Sequence, residues 1–266
     1  MIPRLIIIKG AGDLATGVAH RLWQAGFDPV MLELSEPLVV RRSVSFASAI
    51  YEKSIVVENI EAKLCKEVEE ALELLEQEVV PVLIDPEANT VVKLKPKILI
   101  DGIMAKKNTG TNRDDAELVI GLGPGFSAGA DVDAVIETMR GHDLGKVIYA
   151  GSAIPDTRVP GEVAGYSRER LLRAPAEGVF KPLKKIGELV KAGDTVATVE
   201  EIPLQAEIDG LVRGMLYPNL AVRRGMKVGD IDPRGKSVDC HTISDKARAI
   251  GGGALEAILN RYFSRR

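Results

Sequence analysis

Leu5 to Leu22 reads LIIIKGAGDLATGVAHRL, and the rest of the chain is read outward from this stretch. Leu5 to Ile8 form an unbroken apolar run of the kind carried by a parallel strand buried on both faces, and Gly10 and Gly12 punctuate it before a helical pattern begins. The expectation is strand, tight turn, helix. Ala15 stands where the dinucleotide fingerprint G-x-G-x-x-G/A accepts alanine, and Val18, Ala19 and Leu22 lay an apolar stripe along the helix. The first backbone N–H groups of such a helix have no intrahelical partners, and glycine lets a pyrophosphate approach them. Lys9 and Asp13 depart from the fingerprint, because a carboxylate beside the phosphate position repels it. Three resolutions stay open: Lys9 offsets Asp13, a divalent cation bridges Asp13 to the ligand, or the ligand is not bound as in a standard dehydrogenase. The rival reading is a tight strand-to-helix turn that holds no ligand.

Pro29 to Glu33, PVMLE, reads as a second strand, and Glu33 falls about 20 residues beyond Gly12, where the fingerprint places the acidic residue that binds ribose hydroxyls. A solvated strand end is the alternative for Glu33. Arg41 and Arg42 follow, a pair able to hold an extra phosphate bidentately or to lie unpartnered at the surface. Further strand-like runs stand at Ser54–Val57, Val79–Ile84, Ile98–Ile100, Leu118–Leu122 and Lys146–Tyr149, with an amphipathic helix expected from Ala62 to Glu78 that includes Cys65. This alternation predicts a mostly parallel sheet covered by helices, with ligands beyond the carboxyl ends of its strands. A second glycine loop, Gly121, Gly123, Gly125 and Gly129 around Pro124, is a second candidate cradle. Asp131 is expected to cap a helix carrying Val132, Val135, Ile136 and Met139, and Asp101, Asp131 and Asp133 are read as caps before metal ligands, so no metal site is assigned.

From Gly151 to Pro175 the chain turns rich in Pro, Gly and Arg, which reads as a connector with a domain boundary near Leu171. Beyond it, Val190-x-x-Gly193-x-x-Val196 repeats as Val222-x-x-Gly225-x-x-Val228, the pattern of a two-fold β sandwich resembling biotinyl and lipoyl carrier domains. The turn between the halves, from Glu201 to Gln205, holds no lysine acceptor. A C-terminal helical pattern from Ser244 to Phe263 is broken by Gly251-Gly252-Gly253, which calls for a packing reason, a ligand or a hinge. Just upstream, Cys240 stands beside His241, and a thiol so placed is the one candidate catalytic group. The expected division is an α/β Rossmann-like cofactor-binding domain over 1–170, a barrel-sandwich β domain over 171–235, and a helical segment over 236–266 that packs back on the first.

The 266 residues carry a net charge of −3, with 45% hydrophobic and 27% charged residues, ordinary for a globular protein and without the basic tracts that nucleic acid or anionic lipid would attract. Two cysteines make no disulfide framework, and no apolar run reaches the ~20 residues of a membrane span, so a cytoplasmic location is expected.

The segments GAGDLATGVAHRL, RRSVSFASA, LVIGLGPGFSAGADVDAVIETMRGHDLGKVI, RVPGEV, LLRAP and CHTISDKARAIGGGALEAIL together resemble the YqeB family of selenium-dependent molybdenum hydroxylase accessory proteins, distantly similar to the XdhC maturation factors. The resemblance implies a maturation factor that binds a nucleotide-bearing molybdenum cofactor or another dinucleotide, with a client hydroxylase or other maturation factors as partners. The ligand would lie across Lys9, Gly10, Gly12, Asp13, Glu33, Arg41, Arg42, Gly121, Gly123 and Gly125. The alternatives are an NAD(P)-dependent oxidoreductase on the same sheet and a non-catalytic scaffold. Self-association is left open.

Overall fold

The computed structural model describes residues 2–157 and 159–263; Arg158, in the expected connector, lies outside them. The chain divides into two compact units, the first made of Met1–Pro37, Ser45–Thr157 and Ile243–Arg266, the second of Leu38–Val44 and Arg158–Thr242.

The first unit is built on nine strands: β1 (Leu5–Lys9), β2 (Asp28–Glu33), β3 (Ser54–Val57), β4 (Ile60–Cys65), β5 (Val80–Ile84), β6 (Ile98–Asp101), β7 (Leu118–Leu122), β8 (Ala134–Ile136) and β9 (Val147–Ile148). Its helices are α1 (Asp13–Gln24), α2 (Ala49–Glu52), α3 (Val68–Glu76), α4 (Asn89–Leu94) and α5 (Asp245–Phe263). The strands lie in the order β3-β4-β5-β2-β1-β6-β7-β8-β9. Ile6, Ile7 and Ile8 are all fully buried, as a strand covered on both faces requires. Ile7 joins Val30, Leu32, Leu99 and Val119 in a core closed by Ala71 and Leu74 of α3.

The Rossmann-like expectation is corrected by this sheet. It is mixed, with antiparallel pairings β3·β4 and β8·β9 at its two edges. The connections from β6 to β7 and from β7 to β8 contain no α-helix. Two misread segments account for much of the difference. The residues expected to open the acidic helix form β4, so Cys65 lies on a strand and α3 begins only at Val68. The helix expected from Asp131 is replaced by β8, which pairs in parallel with β7. There the Asp131 carboxylate accepts from the Ser127 N–H at 2.8 Å and Asp133 from the Val119 N–H at 2.9 Å.

The C-terminal helix is not broken. α5 runs through all three glycines, because two of them sit where other backbone passes close by. A Cβ on Gly251 would stand 2.8 Å from the Gly17 carbonyl oxygen of α1, and one on Gly253 would fall on the carbonyl oxygen of Gly145. Gly17 in turn leaves room for Ala247 of α5, whose Cβ would lie 2.6 Å from an added methyl. The packing explanation therefore replaces the hinge.

The second unit contains β10 (Leu171–Arg173), β11 (Gly178–Pro182), β12 (Leu189–Val190), β13 (Thr195–Val199), β14 (Ile202–Gln205), β15 (Gly210–Met215), β16 (Ala221–Val222) and β17 (Lys227–Asp232). These make two antiparallel four-stranded sheets, β10-β17-β15-β12 and β14-β13-β11-β16. Val190, Val196, Val222 and Val228 of the repeat are all buried, and each copy passes from one sheet to the other at a left-handed glycine, Gly193 at φ +91° and Gly225 at φ +80°. The biotinyl/lipoyl-like domain over 171–235 is corrected as well. The unit reaches from 158 to 242 and takes in the distant segment 38–44, whose Val40 carbonyl accepts from the Met215 N–H at 2.8 Å. A sequence repeat marks only what recurs within it, so that inserted segment left no trace in the pattern.

Candidate functional site

The turn between β1 and α1 is held from three sides. Gly10 N–H donates to the Leu32 carbonyl at 2.7 Å. Ala11 N–H donates to Glu33 Oε2 and Leu34 N–H to Glu33 Oε1, both at 2.8 Å. The Ala11 carbonyl accepts from Ala47 N–H at 2.8 Å and from Thr16 Oγ1 at 3.1 Å, and Thr16 Oγ1 accepts from Phe46 N–H at 2.8 Å. Glu33 is thus the strand-end carboxylate the spacing pointed to, and it faces the glycine turn. Burial pushes its carboxyl above the usual range, against the opposing pull of the Leu34 and Ala11 N–H groups. Two bonds leave lone pairs on a carboxylate for further donors.

Gly12 precedes α1 in extended conformation, and among the described residues no side chain caps the helix and a Cβ built at Gly12 meets nothing within 4 Å. Among the described residues the outer side of the turn is open. Asp13 follows in the first turn of α1, where a carboxylate is favoured by the helix end even without a ligand.

Lys9 turns to Asp101, not to Asp13. Its Nζ donates to Thr111 Oγ1 at 2.6 Å and stands 3.7 Å from Asp101 Oδ2, and Thr111 Oγ1 donates to that same oxygen at 2.6 Å. Asp101 is buried and its other oxygen accepts from Ile103 N–H at 3.1 Å. This network occupies Lys9 and Asp101 together.

The second glycine loop is filled by the protein itself. Added Cβ atoms at Gly121, Gly123 and Gly125 would stand 2.5 Å from the Phe126 ring, 2.5 Å from Thr138 Oγ1 and 2.6 Å from Lys107 N. Gly121, Gly123 and Gly125 admit neighbouring chain, whereas at Gly129 a Cβ meets nothing within 4 Å among the described residues. Asp101, Asp131 and Asp133 are committed to the bonds described above, and Asp133 also accepts from Arg113 at 2.8 Å. Among the described residues no three His, Cys, Asp or Glu side chains cluster as metal ligands would.

Arg41 and Arg42 belong to the second unit. Arg41 donates to the Thr242 carbonyl at 3.1 Å, and the Arg42 guanidinium lies 4.6 Å from the centre of the Tyr217 ring. Cys240, of the same unit, is buried, and burial pushes its thiol up from 9.0, helped by Asp239 and resisted by Arg41 and Arg213. That environment opposes the thiolate a nucleophile needs. His20, on α1, lies 3.7 Å from Glu58, which accepts from Ile243 N–H at 2.6 Å and from Arg248 at 2.6 and 2.7 Å. Burial lowers the His20 pKa below 6.5.

Sequence reasoning passed over Lys246 as a site residue. It is the second residue of α5, and Asp13 and Glu137 act on its ammonium from the same unit. A lysine in the first turn of a helix opposes the helix dipole, and that misplacement was the available signal.

The class these features define is a two-unit chain: an α/β unit with an open glycine turn at the head of its first helix, and an all-β unit. No family model matches it. The uncharacterized protein YqeB of Escherichia coli (strain K12) is 49% identical over 256 residues, which are 96% of this chain and 47% of that protein. The likeness supports the YqeB family, and the chain spans about half the length of this curated relative. Among solved structures, a succinylglutamatedesuccinylase/aspartoacylase from Rhodobacter sphaeroides is 11% identical over 86% of each chain with a TM-score of 0.29. An aspartoacylase family protein from Mesorhizobium loti is 12% identical over 87% of this chain and 85% of its own, with a TM-score of 0.26. Likenesses that low carry neither a ligand nor a reaction to this chain. No helix among the described residues is long and apolar enough to cross a membrane.

Proposed function

We propose that this chain is an accessory factor in the maturation of selenium-dependent molybdenum hydroxylases, and that it binds a nucleotide-bearing molybdenum cofactor, or another dinucleotide such as NAD(P), at the Gly10–Asp13 turn. The observation that carries the reading is the open side of Gly12 at the uncapped head of α1, with the Glu33 carboxyl tied to the same turn. Backbone N–H groups there suit a pyrophosphate, and Glu33 suits ribose hydroxyls. The accessory role rests on the resemblance of the quoted segments to the YqeB family of accessory proteins; the curated relative itself is uncharacterized. The metal end of the cofactor would supply the redox chemistry of the client; the residues of this chain hold and orient the nucleotide end. The all-β unit is the docking module for the client hydroxylase or another maturation factor in this reading.

Equilibrium binding of NAD(H), NADP(H) and molybdenum cofactor dinucleotides to wild type and Gly12→Val tests it. Gly12 has φ −65°, open to any residue, so the variant is expected to fold and to lose ligand. Unchanged affinity in a folded Gly12→Val protein, or no binding of any of these ligands to wild type, overturns the proposal.

A further inference from the structure

In the all-β unit, β15 carries a bulge. Val212 stands opposite Ile231 of β17 and Gly214 opposite Asp230, so Arg213, between them, has no residue across from it. Bulges of this kind re-aim a side chain and recur beside active sites. The Arg213 side chain is only 14% exposed, and its Nε is buried with no hydrogen-bond partner among the described residues. Asp232 Oδ2 lies 3.8 Å from that nitrogen, too far for a hydrogen bond. Asp232, itself buried, is already taken: Arg234 donates to it from Nε at 2.9 Å, from Nη2 at 2.7 Å and from its backbone N–H at 3.1 Å.

Asp230 lies two residues back, on the same face of β17. Its Oδ2 accepts from Lys227 at 3.2 Å and stands 3.6 Å from Arg170, whereas its Oδ1 is buried with no donor among the described residues. Gly214 lacks a side chain to admit Val40, and Asp230 Oδ1 lies 3.2 Å from where a Gly214 Cβ would stand. One donor and one acceptor, Arg213 Nε and Asp230 Oδ1, are thus buried and unmatched on one face around Gly214, and no ion pair of 4.0 Å or less joins them. The ions connected here are four cations, Arg170, Arg213, Lys227 and Arg234, against two carboxylates, which leaves two positive charges. A group that satisfies all of this is a dianion that accepts at one end and donates at the other.

We infer that Arg213 and Asp230 form a binding site for hydrogen phosphate, in which the Arg213 guanidinium donates to phosphate oxygens and the phosphate hydroxyl donates to Asp230 Oδ1. The site lies within the all-β unit and does not rest on the reading of the Gly10–Asp13 turn. A guanidinium stays charged at any ordinary pH and presents its donors as a fork that matches phosphate, so Arg213 supplies the attraction. An ionised carboxylate only accepts, so Asp230 supplies the selectivity. It takes an oxyanion that still carries a proton and repels one that does not, which separates phosphate from sulfate at neutral pH.

The test is calorimetric titration of the full chain at neutral pH with inorganic phosphate and, separately, with sulfate, using wild type, Arg213→Met, Arg213→Lys, Asp230→Asn and Lys191→Met. Wild type is expected to bind phosphate at least about tenfold more tightly than sulfate, since sulfate leaves Asp230 Oδ1 unmatched. Loss of a charge-assisted bond predicts about tenfold to hundredfold weaker phosphate binding in Arg213→Met. Arg213→Lys keeps the charge without the fork and falls between the two. Asp230→Asn replaces an acceptor by a group that also donates, so phosphate binds more weakly, sulfate more tightly, and the ratio between them shrinks. Opposite changes for two anions of similar shape are not expected of a residue that only supports the fold. Lys191, exposed in the same unit, reports general attraction of anions, and Lys191→Met is expected to bind phosphate as wild type does. Absence of phosphate binding to wild type, equal binding of phosphate and sulfate, or unchanged phosphate affinity in Arg213→Met overturns the assignment. So does an Asp230→Asn protein that keeps the wild-type ratio. Should Arg213→Met fail to fold, Arg213→Lys carries that arm, and phosphate affinity equal to wild type overturns the assignment there as well.

Discussion

Gly252→Ala and Gly253→Ala, neighbours in one helix, are expected to change stability in opposite directions. A Cβ at Gly252 meets nothing within 4 Å among the described residues, so the substitution gains the helix propensity of alanine, about 1 kcal/mol. A Cβ at Gly253 would fall on the Gly145 carbonyl oxygen and stand 3.0 Å from the Ile136 side chain. Neither is the loose end of a flexible side chain, so the overpacking cost lies near the upper end of its usual range, about 3 kcal/mol. Set against the same propensity gain, Gly253→Ala loses about 2 kcal/mol. For a chain of this size each kcal/mol moves the midpoint by about 2–4 °C, so Gly252→Ala should melt about 2–4 °C higher and Gly253→Ala about 4–8 °C lower. Thermal unfolding followed by circular dichroism at one scan rate measures both. A Gly253→Ala protein as stable as wild type would refute the packing account of α5, and a destabilised Gly252→Ala protein would show that a demand other than close packing selects glycine there.

Two further outcomes follow from the buried charges and thiols. Lys9→Met leaves Asp101 buried without its cation and is expected to cost about 3–5 kcal/mol in urea unfolding; a loss under about 1 kcal/mol would mean that Thr111 and the Ile103 N–H suffice. Burial pushes the Cys65 thiol up to about 12 and that of Cys240 above 9.0, so neither should react with a thiol reagent at neutral pH until the protein is unfolded. Rapid native labelling of Cys240 would reinstate it as a chemical group.

The parts of the fold that local pattern governs were legible. The apolar run at Leu5, the strand ending in Glu33 and the run Leu118–Leu122 all lie where the spacing put them, because strands buried on both faces announce themselves by composition. Glu33 was legible as well, since strand and turn lie close in sequence. Val132, Val135, Ile136 and Met139 repeat at helical spacing, yet Ala134–Ile136 is a strand, because pairing with β7 outweighed a short periodicity. The partner of Lys9 could not be read, because Asp101 reaches it only through the pairing of β1 with β6. Lys246 was hidden for the same reason: its surroundings come from α1, the Lys106 loop and the residues after β8, and no local pattern joins them. The second glycine loop misled because glycine marks any close approach of backbone, and here the approaching group is the protein's own Phe126, Thr138 and Lys107.

The pairing of α1 with α5 also orders events in time. On the ribosome, the side of α1 that carries Gly17 is made first and waits for Ala247 and Gly251, which are added more than two hundred residues later. At about 5–20 residues per second that interval is roughly 10–50 seconds. Segment 38–44 waits in the same way for the strands of its own unit. A nascent chain therefore carries unfinished surfaces from the making of α1 until α5 is added, which is when a chaperone or a cognate ligand has the most to protect.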